Sequence, residues 1–236
     1  MWKLIKLEYE KNNTLKYVMK TGIILALFLL FFFSFTFLGI AVDADTGTVE
    51  PDMVGRLVML VTACVDLVYI IYSASMYNSF IIEPYQNKSM NLMFTYPVSR
   101  KKLIFSKIAA VWMFMLVNLI FTRAVIFVVL KLCGNFLTPD FLLNYSLTDG
   151  SFWLSQIISS VETVTISLLA VWGGLVRKSK SASVVFSILL IVIMQGAVGE
   201  VSLRSQGWLP VLLMILAVVS ITLYFMDVEK KDVPDF

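Results

Sequence analysis

The sequence predicts an all-α integral membrane protein of about six transmembrane helices, with an amphipathic helix ahead of the first. Three observations carry this. Apolar residues make up 59% of the 236 positions and charged residues 15%, where a soluble domain carries about 25% charged; mean hydropathy is +0.86. The apolar residues are gathered into runs of the length needed to cross a hydrocarbon core of about 30 Å. Lysine and arginine collect in alternate connecting segments, as the positive-inside rule describes. The runs use most of the length and leave no stretch for a soluble core, so residues 1–236 read as one transmembrane domain.

Residues 1–20 are charged and helix-compatible. Trp2, Ile5 and Tyr9 share a face, with Lys3, Lys6 and Glu10 beside it; such a helix lies in the headgroup plane. Residues 21–42 form the first span, too long for a signal-peptide core. Phe31, Phe32, Phe33, Phe35 and Phe37 make its outer half bulky and lipid-facing. Residues 43–52 are acidic and turn-rich.

Residues 54–82 form the second span, long enough to tilt, with Arg56 placed to snorkel at its outer end. Asp66, Ser73 and Tyr77 fall on one face of it. The third span, 103–130, contains Asn118 and Arg123. The fourth, 152–176, carries a stripe of small residues, Ser159, Thr163, Ser167, Ala170 and Gly174, with Glu162 beside it. Small residues let helices approach closely in lipid, so this stripe is read as a packing face. The fifth span, 181–198, weakens at Gln195, Gly196 and Gly199. The sixth is 208–226. Basic residues in 1–20, 83–107 and 177–180, against only Lys131 and Arg204 in the alternate loops, place both termini in the cytoplasm.

The segment Glu83 to Lys107, EPYQNKSMNLMFTYPVSRKKLIFSK, stands out among the loops. Pro84 and Pro97 bracket a stretch, 88–96, that can form a short helix, because proline is excluded from helix interiors. Leu92, Met93 and Tyr96 would form an apolar ridge on it. Arg100, Lys101, Lys102 and Lys107 mark where the chain re-enters lipid. This loop, with the run Thr95 to Lys107 leading into the third span, resembles the permease subunit of a type-2 ABC exporter, and the six-span layout extends the resemblance over most of the chain.

The resemblance implies that residues 1–20 are an elbow helix and that 83–96 hold a coupling helix docked on a separate ABC ATPase subunit. Glu83, Leu92, Met93, Tyr96, Arg100 and Lys101 are the candidate coupling residues, with Glu83 placed to pair with Arg100 or Lys101. It also implies a second permease subunit, identical or homologous. Substrates implied are amphipathic peptides, antimicrobial peptides among them, or drugs. The surroundings are a lipid bilayer, the plasma membrane of a bacterium; nucleic acid is no partner.

The residues themselves exclude much chemistry. There is no histidine, which removes His-dependent triads and most zinc sites. Cys64 and Cys133 stand far apart, so neither a disulfide framework nor a metal site is expected. Gly173 to Ser179, GGLVRKS, lacks the second glycine of a phosphate-binding loop and ends a predicted helix instead of following a strand. The chain is expected not to be an enzyme and to hold no cofactor; ATP hydrolysis belongs to a partner.

Asp66, Arg123 and Glu162 remain, one on each of three spans, about 18, 10 and 15 Å from the outer ends at 1.5 Å per residue. A lone charge at such depth costs at least ~2.5–3.5 kcal/mol. An ion pair between helices, Arg123 with Asp66 or Glu162, removes most of that cost and is the preferred reading. The other is a polar element of a transport path. Two further functions stay open: a stand-alone secondary transporter or channel using these three residues, and a membrane scaffold that transports nothing.

Overall fold

The computed structural model describes residues 2–11, 14–37, 52–86, 100–137, 149–177, 179–195, 197–198, 201–202 and 208–230. It is helical throughout except for one short bridge. In chain order the helices are α1 (Trp2–Lys11), α2 (Thr14–Phe37), α3 (Asp52–Tyr77), α4 (Glu83–Gln86), α5 (Arg100–Leu137), α6 (Gly150–Arg177), α7 (Lys180–Gln195) and α8 (Trp208–Lys230). A π-helical turn, Asn78–Ile82, joins α3 to α4. Two-residue strands β1 (Ala197–Val198) and β2 (Val201–Ser202) pair antiparallel between α7 and α8.

Four described segments are long and apolar enough to cross a membrane: Thr14–Ser34, Val58–Ile82, Lys102–Cys133 and Gly150–Arg177. Lys180–Met194 and Trp208–Tyr224 are shorter apolar helices. At 1.5 Å per residue α7 is about 24 Å long and α5 about 57 Å, so α7 falls short of the hydrocarbon thickness and α5 exceeds it. The protein is an all-α, multi-pass membrane protein.

Two bounds differ from the sequence reading. The first helix ends at Lys11 and the second starts at Thr14, so residues 14–20 belong to the first spanning helix and not to the amphipathic one. Asn12 and Asn13 lie between, residue types that compete for backbone hydrogen bonds and favour helix starts. The phenylalanine run is also not uniformly lipid-facing. Phe31 and Phe33 are exposed, whereas Phe32 is 1% exposed and stacks on Phe28 with ring centroids 5.8 Å apart. Consecutive helical positions point about 100° apart, so one of three must face inward.

By contacts the chain divides into two units. The first comprises Met1–Asn13, Leu67–Leu116 and Val161–Phe236; the second comprises Thr14–Asp66 and Val117–Ser160. The first has a core of Ala74, Ile166, Ala170, Leu190, Met194 and Leu213, drawn from α3, α6, α7 and α8. Thr163, Ser167, Ala170 and Gly174 of the small-residue stripe are all buried here. A Cβ on Gly174 would stand 2.5 Å from Ile82 Cδ1 and 2.7 Å from Ser183 Cβ, and one on Gly173 would run into the Phe186 ring. The glycine pair thus lets α6 pass close to the π-turn and to α7. In the second unit Val61, Val65, Leu119, Ile126 and Phe127 are fully buried.

Candidate functional site

Two groups of buried charge are present, one in each unit. In the second unit, α3 supplies Asp66, α5 supplies Arg123 and α6 supplies Gln156, Ser159 and Ser160. Asp66 and Arg123 are each 1% exposed. Arg123 Nη2 donates to Asp66 Oδ1 in a buried ion pair. Its Nη1 donates to the Gln156 carbonyl at 2.8 Å and to Ser160 Oγ at 2.9 Å. The Ser160 hydroxyl passes its own proton to the Gln156 carbonyl at 2.7 Å, the back-bonding to residue i−4 open to a helical serine. One turn along each helix, Phe127 and Phe152 meet edge to face at 5.2 Å. Arginine suits such a place because its planar fork serves several acceptors at once. The third intramembrane charge, Glu162, is half-buried on α6 in the first unit.

The second group lies at the end of α3, in the first unit, and begins with proline chemistry. In an α-helix residue 84 would donate its N–H to the carbonyl of residue 80. Pro84 has no N–H, and its ring crowds that carbonyl. The helix opens at this point into the π-turn, where the Glu83 N–H bonds to the Asn78 carbonyl, five residues back. Lys107 on α5 fills the place left by the proline: its Nζ donates to the Phe80 carbonyl at 3.0 Å. The same Nζ stands 3.4 Å from Glu8 Oε2 on α1, with the two side chains 1% and 10% exposed. Tyr9, next along α1, donates its hydroxyl to the Ala110 carbonyl of α5 at 2.6 Å. Burial lifts the Tyr9 phenol above its ordinary range, which keeps it a donor.

Around the π-turn, Asn78 Nδ2 donates to the Lys180 carbonyl at 3.3 Å, and Lys180 Nζ meets Glu83 Oε1 at 3.2 Å. Both side chains of that last pair are 45% exposed, so it contributes only about 0–1 kcal/mol.

The structure changes the reading of several residues. Lys107, read from the sequence as marking the re-entry into lipid, is enclosed by protein, between the Phe80 carbonyl and Glu8. The partner seen for Glu83 is Lys180, where the sequence had suggested Arg100 or Lys101. Arg100 and Lys101 begin α5, and their side chains lie outside the described residues. Leu92, Met93 and Tyr96 also lie outside them. Sequence reasoning missed Glu8 and the Lys107 junction. The available signal was Pro84 four residues after Phe80, which leaves a carbonyl in need of a donor. Among the described residues no cluster of three or more His, Cys, Asp or Glu is placed to hold a metal ion.

Apolar helices long enough to span a bilayer, with buried ion pairs between them, mark a membrane-embedded protein, and comparison with known proteins gives the family. The family model for ABC-2 family transporter proteins matches residues 4–196, so the chain belongs to the ABC-2 transporter family and is a permease subunit of an ABC transporter. It is also similar to the uncharacterized protein YcbO of Bacillus subtilis (strain 168), 23% identical over 211 residues that cover 80% of this chain and 82% of that protein. No solved structure matches the chain at a significant level.

Proposed function

We propose that the chain is the membrane-spanning permease of an ATP-driven exporter and forms a translocation path for an amphipathic peptide, a drug or a similar molecule. The observation that carries this reading is the family match over residues 4–196 together with the loop that leaves α4. An ABC-2 permease works with an ABC ATPase, and the sequence contains no match to the phosphate-binding-loop pattern. A nucleotide-binding subunit therefore supplies hydrolysis and drives the permease through residues 83–96. Two permease subunits, identical or homologous, enclose the path. Basic loops at 83–107 and 177–180 support a cytoplasmic position for both termini and for the coupling loop in a bacterial plasma membrane. Export fits the connections predicted to lie outside, which are too short to fold into a substrate-capturing domain.

The buried Asp66–Arg123 pair speaks against a stand-alone relay. Its donors and acceptors are fixed on three helices, an arrangement that holds packing and not a mobile proton. The test is uptake of a fluorescently labelled cationic amphipathic peptide into inverted membrane vesicles that contain the permease and its co-expressed ATPase. The expected result is uptake that requires hydrolysable ATP and both subunits. Peptide uptake that is driven by a proton gradient and indifferent to ATP would overturn the reading.

A further inference from the structure

Lys107 serves three elements at once: it sits on α5, holds α1 through Glu8 and holds the end of α3 through the Phe80 carbonyl. We propose that it is a positioning residue that clamps the amphipathic helix α1 to the π-turn, so that displacement of the loop leaving α4 is delivered to α1 as well as to α3. That consequence rests on the coupling role proposed for residues 83–96; the clamp itself does not.

Pro84 removes one helix bond at this point, and the Phe80 carbonyl accepts from the Lys107 ammonium. A π-turn at such a point is a local register defect, able to lengthen or close with little change to the helix on either side. A single buried ammonium bonded to that carbonyl and to Glu8 fixes the defect in one register. It also makes α1 part of the same rigid piece, with Tyr9 bonded to Ala110 beside it. Glu83, the first residue beyond the π-turn, is tied to α7 through an exposed pair with Lys180. A force on the loop therefore meets a weak tie at Glu83 and a strong one at Lys107. Charged hydrogen bonds exceed neutral ones, and the Lys107 side chain is 1% exposed.

The experiment uses the whole permease in lipid nanodiscs, in a background lacking Cys64 and Cys133. Spin labels are placed at Leu7→Cys on α1 and Ser75→Cys on α3, both exposed positions. The parent is expected to give one narrow distance distribution, and Lys107→Met a broad one. Glu8→Gln, which keeps shape and hydrogen bonding, is expected to broaden it less and guards against a variant that does not fold. Heat survival is measured alongside. Lys107→Met is expected to lower the surviving folded fraction roughly tenfold near the parent's midpoint. An unchanged distance distribution in Lys107→Met would overturn the clamp. A broadened distribution with normal ATP-driven transport would uphold the clamp and overturn the coupling role of the loop.

Discussion

Arg123 shows how one side chain can hold three helices without chemistry. Its guanidinium faces Asp66 on α3 and three acceptors on α6, so desolvation is offset by geometry and not by charge alone. Arg123→Leu would leave the Asp66 carboxylate buried against hydrocarbon, and Asp66→Leu would leave the guanidinium there. Either single change is expected to lower stability in detergent by about 3–5 kcal/mol, and the double substitution by distinctly less than the sum. Strictly additive losses would contradict a paired role. The pair was legible to the extent that a lone arginine in an apolar run demands a carboxylate, with Asp66 and Glu162 both available. The α6 side of the site was not. Ser159 read as one of a stripe of small residues, and Ser160 with the Gln156 carbonyl carried no signal until α5 and α6 were placed side by side. The inward contacts of Lys107 were not legible for a related reason: a lysine near a span's start reads as a boundary marker, and its bonds to Glu8 and the Phe80 carbonyl need α1, α3 and α5 placed together.

At the level of elements, the fourth span's small-residue stripe proved to be a packing face, and its last members set the tightest approach. Gly173 and Gly174 stand where a phosphate-binding loop was considered and set aside; their role is steric. A Cβ at Gly174 meets Ile82 and Ser183, whereas one at Gly22 meets nothing within 4 Å. Gly174→Ala is therefore expected to destabilise by about 1–3 kcal/mol through overpacking. Gly22→Ala is expected to be neutral or to stabilise by up to about 1 kcal/mol, from helix propensity. Thermal melting of the two variants in detergent checks this, and equal melting points would contradict it. The helices themselves were plain in the sequence because each is a long apolar run. Their ends were less so: the start of α2 at Thr14 is hidden by Lys16 and Lys20, which look like part of a charged tail. The π-turn has no signature in hydropathy, since Asn78–Ile82 reads as the continuation of an apolar helix; it follows from the proline two residues later.

At the level of the whole molecule, apolar runs give a multi-pass protein and the family match gives an ABC transporter permease. Such a permease moves cargo only if force from nucleotide hydrolysis enters it somewhere. The entry point proposed above is the end of α3, where Lys107 is bonded within a π-turn and the sequence beyond is rich in apolar and basic residues. Exposed ion pairs are worth about 0–1 kcal/mol, so the basic residues Arg100 and Lys101 make a weak handle. Interface energy concentrates in a few buried apolar and aromatic anchors, which singles out Leu92, Met93 and Tyr96. The most direct measurement is the amount of co-expressed ATPase subunit retained on tagged permease after purification, compared across loop variants of equal folded yield. Leu92→Asp and Tyr96→Ala are expected to reduce retention by roughly tenfold or more, and Arg100→Ala or Lys101→Ala by less than about fivefold. Retention of the ATPase at the parent's level by both Leu92→Asp and Tyr96→Ala would contradict the coupling role of the loop.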